Sequence, residues 1–201
     1  DTNTIAYVAL THTDGTDLRV AGIYHEGDDA PTVLRTTNRD TSLSIATSTY
    51  YGSTYTAIAE DGKLTIYKGH YDQGFEGLTR VSGRSLPDTV THVEFNDTGS
   101  YVLARSETSF TSFGLERQIF TTVDLPVPSQ GLYWLDTMHL GLFVDGKMTM
   151  RNIDGTNVHN LTSSKAGHRG VLSRNGTYFY SIGDTENSEG VRLQRFRMIL
   201  R

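Results

Sequence analysis

The chain of 201 residues carries 18 basic and 23 acidic side chains, a net charge of −5, no cysteine and 36% hydrophobic residues. The missing cysteine excludes disulfides, thiolate metal centres, iron–sulfur clusters and cysteine nucleophiles. The acidic balance speaks against a general nucleic-acid binder, whose affinity rests on a basic surface.

Twenty Gly against four Pro, with eleven Tyr, eight Phe and abundant Thr, favour short strands and tight turns over long helices. No run approaches the roughly 18 apolar residues of a membrane-spanning helix. In chain order, the first segment, 5–36, supplies three strands around Asp14-Gly15. The second, 42–81, holds a turn at Gly52-Ser53, the hairpin Asp61-Gly62-Lys63-Leu64-Thr65-Ile66 and the start of an insertion-like stretch, Lys68–Asp88. The third, 90–126, alternates from Val90 to Phe95, turns at Asp97-Thr98-Gly99 and continues through Tyr101–Ala104, Ser109–Glu116 and Gln118–Asp124. The fourth, 132–162, places Asp145-Gly146-Lys147-Met148-Thr149-Met150 at its centre. The last, 169–200, supplies three strands.

These segments repeat. Phe95-Asn96-Asp97-Thr98-Gly99-Ser100-Tyr101-Val102 matches Leu172-Ser173-Arg174-Asn175-Gly176-Thr177-Tyr178-Phe179 at an offset of 77 residues, and Trp134–Leu140 sits halfway between. A second signature, Asp-Gly followed by an alternating strand, recurs out of phase at Asp14, Asp61 and Asp145. Four antiparallel strands in about 40 residues is the size of one propeller blade. The expected fold is all-β: a β-propeller of about five recognisable four-stranded blades, the first lacking its first strand and the last its fourth. It reads as one domain or fragment of a larger ring, with a β-sandwich as the competing architecture.

The phrase Asn152-Ile153-Asp154-Gly155-Thr156-Asn157-Val158-His159-Asn160-Leu161-Thr162 is similar to the D-x-D-G-T/S-N-x-x-x-L-T hairpin of TolB-type, WD-like bacterial propeller repeats. It departs from that pattern at Asn152, where Asp is usual. The turns Asn96–Ser100 and Ser173–Thr177 resemble the same family's S-P-D-G-K turn, without its proline. The resemblance covers about three of five units. The context Trp134–Leu161 also resembles the propeller region of bacterial proteins that carry a PEGA domain. This kinship implies an exported, extracytoplasmic or cell-surface setting.

The sequence lacks the motifs of common catalytic sites. There is no G-x-S-x-G elbow, no H-E-x-x-H among the seven scattered histidines, and no phosphate-binding loop. His25-Glu26 beside Asp28-Asp29 reads as a solvated hairpin loop rather than a cation site. Asp184-Thr185-Glu186-Asn187-Ser188-Glu189-Gly190 has the composition of a calcium loop without its spacing. The tail Val191–Arg201 carries four Arg, read as an edge strand protected against further pairing. No metal or cofactor is expected.

The leading expectation is a non-catalytic scaffold that engages a protein or glycan through one face, where successive blades connect at Thr36–Thr41, Gly83–Thr89, Val127–Gly131 and Ser163–Gly170. Arg39, Asp40, Arg84, Asp88, His168 and Arg169 are its candidate contact residues. A carbohydrate-active hydrolase or lyase with a dispersed site is the alternative, and fold alone does not decide between them.

Overall fold

The computed structural model describes residues 3–128, 131–165, 168–184 and 190–198. Two compact units divide the chain, Asp1–Asp124 and Leu125–Arg201. Unit 1 holds three sheets. Strands β1 (Thr4–Thr13), β2 (Thr16–His25) and β3 (Thr32–Asn38) form sheet 1. Strands β4 (Leu43–Tyr50), β5 (Ser53–Glu60), β6 (Lys63–Gly69) and β7 (Leu78–Ser85) form sheet 2. Strands β8 (His92–Phe95), β9 (Tyr101–Arg105), β10 (Ser109–Gly114) and β11 (Ile119–Asp124) form sheet 3.

Unit 2 holds two more. Sheet 4 comprises β12 (Tyr133–Trp134), β13 (His139–Val144), β14 (Lys147–Asn152) and β15 (His159–Ser163). Sheet 5 comprises β16 (Val171–Leu172), β17 (Tyr178–Asp184) and β18 (Val191–Arg197). Every sheet is an antiparallel meander of consecutive strands, so each is one repeat. The Greek-key crossings of a β-sandwich do not occur among them.

The out-of-phase signatures have a simple cause. Asp14-Gly15, Asp61-Gly62 and Asp145-Gly146 all have positive φ at both residues, the conformation of a two-residue hairpin turn whose twist matches its strands. In sheets 2 and 4 this turn joins the second and third strands. The Asn96–Ser100 and Ser173–Thr177 turns instead join the first and second strands of sheets 3 and 5.

Within unit 1 the sheets stack through apolar faces. Leu43, Ile45 and Ile58 of sheet 2 pack on Ala21, Ile23 and Leu34 of sheet 1. The opposite face, Ala57, Ala59, Leu64 and Ile66, packs on Val93, Val102, Ala104 and Phe113 of sheet 3. Sheet 2 is therefore apolar on both faces, as an inner blade must be. In unit 2, Tyr133 and Met148 of sheet 4 meet Phe179 of sheet 5.

Two expectations change. The stretch Lys68–Asp88 is not a mere insertion: a 3-10 turn at Tyr71–Gly77 leads into β7, which reaches Ser85. A bulge between Ile66 and Tyr67 lets β7 stay paired to the start of β6. Arg84, expected in a connection, consequently lies on a strand opposite Leu64. Residues 185–189 of the candidate calcium loop, 199–201 of the tail, and parts of the connections Val127–Gly131 and Ser163–Gly170 lie outside the described residues.

Candidate functional site

The turns at one end of unit 1 are tied together by a run of hydrogen bonds. The Ser42 amide donates to the Asp61 carboxylate at 2.9 Å, and the Asp61 amide returns to the Ser42 carbonyl at 3.0 Å. The Leu86 amide donates to the Gly62 carbonyl at 2.6 Å, and the Ser42 hydroxyl donates to the Val90 carbonyl at 2.6 Å. The Thr91 hydroxyl reaches the Arg105 carbonyl at 3.2 Å, and Ser109 donates to Asp88 at 3.3 Å. Each connection between sheets is thereby fastened to the central turn of a sheet.

This end carries two charged groups. Across the Asp14-Gly15 hairpin, His12 Nδ1 lies 2.8 Å from one Asp17 oxygen, and Arg39 donates to the other at 2.8 Å. The His12 hydrogen bond, with the charge of Arg39, holds the Asp17 carboxyl below its ordinary value. Nearby, Arg35 of β3 forks onto Glu60 at the end of β5, with contacts of 2.9 and 3.1 Å.

The Arg35–Glu60 pair lines a recess of about 250 Å³ between sheets 1 and 2, completed by Ile58, Lys63, Thr65, Tyr67 and Phe75. Phe75, from the 3-10 turn, stands edge-on to Tyr67 with ring centroids 5.2 Å apart and is 41% exposed. Lys63 is exposed and has no acidic partner among the described residues. The recess thus offers an aromatic wall, a cation and a fixed guanidinium–carboxylate pair.

The sequence candidates distribute as follows. Arg39 and Asp40 form the exposed turn beside Ser42, and Asp88 lies two residues from Val90, so the Ser42–Val90 bond brings their turns to one end of unit 1. Arg84 sits on β7. His168 and Arg169 belong to unit 2, where Arg169 lies over the Tyr133 ring at 5.3 Å and the His168 amide bonds the Lys165 carbonyl. His25 and Asp28 form a loop bracket, the His25 amide donating to Asp28 at 3.2 Å. Among the described residues, no group of three His, Asp or Glu is placed to hold a metal ion.

His12, Asp17, Arg35, Glu60, Lys63, Tyr67 and Phe75 were not singled out by sequence. The His12–Asp17 pairing is legible from the hairpin, because a two-residue turn at Asp14-Gly15 sets His12 opposite Asp17. The recess carries no such signal, since its residues come from three strands and a 3-10 turn.

No protein-family model matches the chain, and no curated protein matches it. Solved structures do. The WD40 domain of Toxoplasma gondii coronin aligns with a TM-score of 0.58 at 14% identity, covering 98% of this chain and 54% of that one. A chain of the mitotic checkpoint complex aligns at 0.51 and 13% identity, covering 94% and 64%. A candidate 6-phosphogluconolactonase from Bacteroides fragilis NCTC 9343 aligns at 0.51 and 12% identity, covering 94% and 69%. With the sheet meanders, this likeness shows the fold to be a β-propeller, and the chain spans between 54% and 69% of the length of these structures. No helix among the described residues is long and apolar enough to cross a membrane.

Proposed function

We propose that the chain is a propeller scaffold that binds a protein partner along the recess between sheets 1 and 2, which runs from Glu60 and Lys63 at the cross-tied end of unit 1 toward Tyr67 and Phe75. The observation that carries this is the recess between sheets 1 and 2, where Tyr67 and Phe75 stand beside Lys63 and the Arg35–Glu60 pair. Exposed aromatic surface beside an unneutralised cation is the composition of a binding anchor. The partner segment it suits presents an aromatic or aliphatic side chain next to a carboxylate. Arg39, Asp40 and Asp88 rim that end and steer approach.

We propose further that the five sheets are blades of one propeller. Kinship with TolB-type or PEGA-associated repeats is supported by the phrase Asn152–Thr162, which forms the connection from β14 to β15, the two outer strands of its sheet. That kinship is the support for a bacterial, extracytoplasmic setting.

The test is to pan a displayed library of random peptides against residues 1–201 and measure the selected peptides by calorimetry. Acidic–aromatic peptides are expected, losing at least about tenfold in affinity with Lys63→Glu or Arg39→Glu and keeping it with Arg169→Glu. Peptides indifferent to Lys63 and Arg39 would overturn the reading. So would an oligosaccharide that binds at the same residues while no peptide does.

A further inference from the structure

Sheets 2, 3 and 4 have four strands, and sheet 1 has three. The hairpin phase says which strand it lacks. Asp61-Gly62 and Asp145-Gly146 join the second and third strands of complete sheets, and the equivalent Asp14-Gly15 joins β1 to β2. β1 is therefore a second strand, and the position of the first, on its far edge, has no strand among the described residues.

The chemistry of that edge is unusual. β1 reads Thr-Ile-Ala-Tyr-Val-Ala-Leu-Thr-His-Thr, with no Asp, Glu, Lys, Arg, Pro or Gly, and it pairs with β2 over ten residues without a bulge. Exposed edge strands normally carry a charge, a proline or a bulge against further pairing. β18, the outer strand of the other three-stranded sheet, carries Arg192, Arg195 and Arg197. β1 carries no such protection.

The backbone is oriented to pair. The Glu26 amide donates to the Asn3 carbonyl at 2.8 Å. By the alternation of an antiparallel ladder, odd-numbered residues of β1 bond to β2, and the N–H groups of Ala6, Val8 and Leu10 point at the open edge. Side chains agree. Ile5, Tyr7 and Ala9 share a face with Val20, Tyr24 and Val33. That face is opposite the one packed on sheet 2, and Ile5 is 60% and Val33 48% exposed on it.

We propose that the β1 edge is a strand-acceptor site, taking an extended, uncharged strand as the first strand of sheet 1, carried by a further propeller blade that covers the Ile5–Tyr24–Val33 face. The strand's chemistry is given by β4, the first strand of sheet 2, which reads Leu-Ser-Ile-Ala-Thr-Ser-Thr-Tyr and is likewise uncharged. The blade is argued from continuity: sheet 2 has an apolar face of the same kind on each side, and each is covered by a neighbouring sheet. The WD40 domain of coronin likewise extends well beyond the 54% of its length that this chain spans. Strand addition of this type takes its affinity from main-chain hydrogen bonds and its register from alternate side chains.

The test supplies the strand. A copy of residues 43–52, which is β4 with its two-residue turn, is joined ahead of Thr4, the first residue of β1 whose backbone groups face the open edge, and amide exchange is compared with the unextended chain by NMR at low and high concentration. In the unextended chain at low concentration, the Ala6, Val8 and Leu10 amides should exchange fast. In the extended chain they should slow by at least about tenfold, and a second extended chain with Ala46 of the copy replaced by Pro, which removes the N–H that would bond Val8, should lose the effect. Unchanged exchange in the extended chain overturns the proposal. Slow exchange in the unextended chain overturns it as well: if it appears only at high concentration with a dimer mass, the occupant is a second copy; if it appears in the monomer, the edge is already covered.

Discussion

Phe113→Ala tests whether sheet-on-sheet packing stabilises unit 1. Phe113 is wholly buried in β10, between Val102 and Phe120 in register, with its ring centroid 4.4 Å from that of Phe120. It belongs to the cluster that seats sheet 3 on Leu64 and Ile66 of sheet 2. Buried Phe→Ala changes cost about 3–5 kcal/mol, more where the walls cannot collapse. Here both walls are hydrogen-bonded sheets, tied also by the bond from the Val93 amide to Ser44 Oγ at 3.0 Å, so about 4 kcal/mol is expected. Unit 1 spans Asp1–Asp124, and a domain of that length has an unfolding entropy of about 0.26 kcal/mol/K, so its melting temperature should fall by about 15 °C. Differential scanning calorimetry reads this directly. The control is Ile119→Ala on the neighbouring strand, 58% exposed, expected to cost under about 0.5 kcal/mol. If Phe113→Ala lowers the transition no further than Ile119→Ala, the stacked-sheet account of unit 1 is wrong.

Gly22→Ala should destabilise by about 1–3 kcal/mol through overpacking, because a Cβ there would stand 2.6 Å from both the Tyr7 hydroxyl and the Thr32 carbonyl; urea denaturation measures it, and Tyr7→Leu should relieve only part, since the carbonyl cannot move aside. Asp154 accepts from the Thr156 hydroxyl at 2.6 Å and its amide at 2.9 Å, which holds its carboxyl below the ordinary 3.8. Its contribution is therefore full above that value and fades as pH falls below it, so Asp154→Asn should flatten the acid limb of a stability–pH curve. Tyr133 shows the opposite sign: burial pushes its phenol up to about 12, so the fold favours the neutral ring and stability should decline as pH rises above 10, where the unfolded chain ionises. Ultraviolet titration should find, besides the raised Tyr50, a late tyrosine that Tyr133→Phe abolishes, and that variant, by losing the 2.7 Å bond to the Gly170 carbonyl, should cost about 1 kcal/mol at neutral pH.

Much of this fold is written in local chemistry. Between two alternating strands an Asp-Gly pair takes positive φ at both residues, so Asp14, Asp61 and Asp145 mark hairpins, whereas Asp154-Gly155, with positive φ at the glycine alone, lies in the longer connection from β14 to β15. The three-strand first sheet follows from where Asp14 falls, and the three-strand last sheet from the Ser173–Thr177 turn between its first and second strands. β7 was harder to bound, because its pairing depends on the bulge at Ile66 and Tyr67, a property of two strands together. The candidate site divides the same way. Arg39, Asp40 and Asp88 are found by asking where blades connect. Arg35 and Glu60 meet only because sheets 1 and 2 stack, and no spacing in sequence encodes which residues of two stacked sheets face each other.

The cross-tied end of unit 1 separates what holds the fold from what is free to bind. Ser42 and Asp61 exchange hydrogen bonds, and Ser42 reaches on to Val90. Removing the Ser42 hydroxyl leaves the Val90 carbonyl without that donor, and removing the Asp61 carboxylate leaves the Ser42 amide without that acceptor, a loss the fold must absorb. Arg39 and Lys63 bear no such duty. Arg39 pairs with an exposed Asp17, an interaction that solvent largely screens, and Lys63 is exposed at the rim of the recess. Charge reversal at Arg39 and Lys63 should therefore leave melting behaviour close to that of the parent while altering what binds, and Ser42→Ala should do the reverse. A protein in which Arg39→Glu unfolded unit 1 and Ser42→Ala did not would have its scaffold and its binding surface assigned the wrong way round.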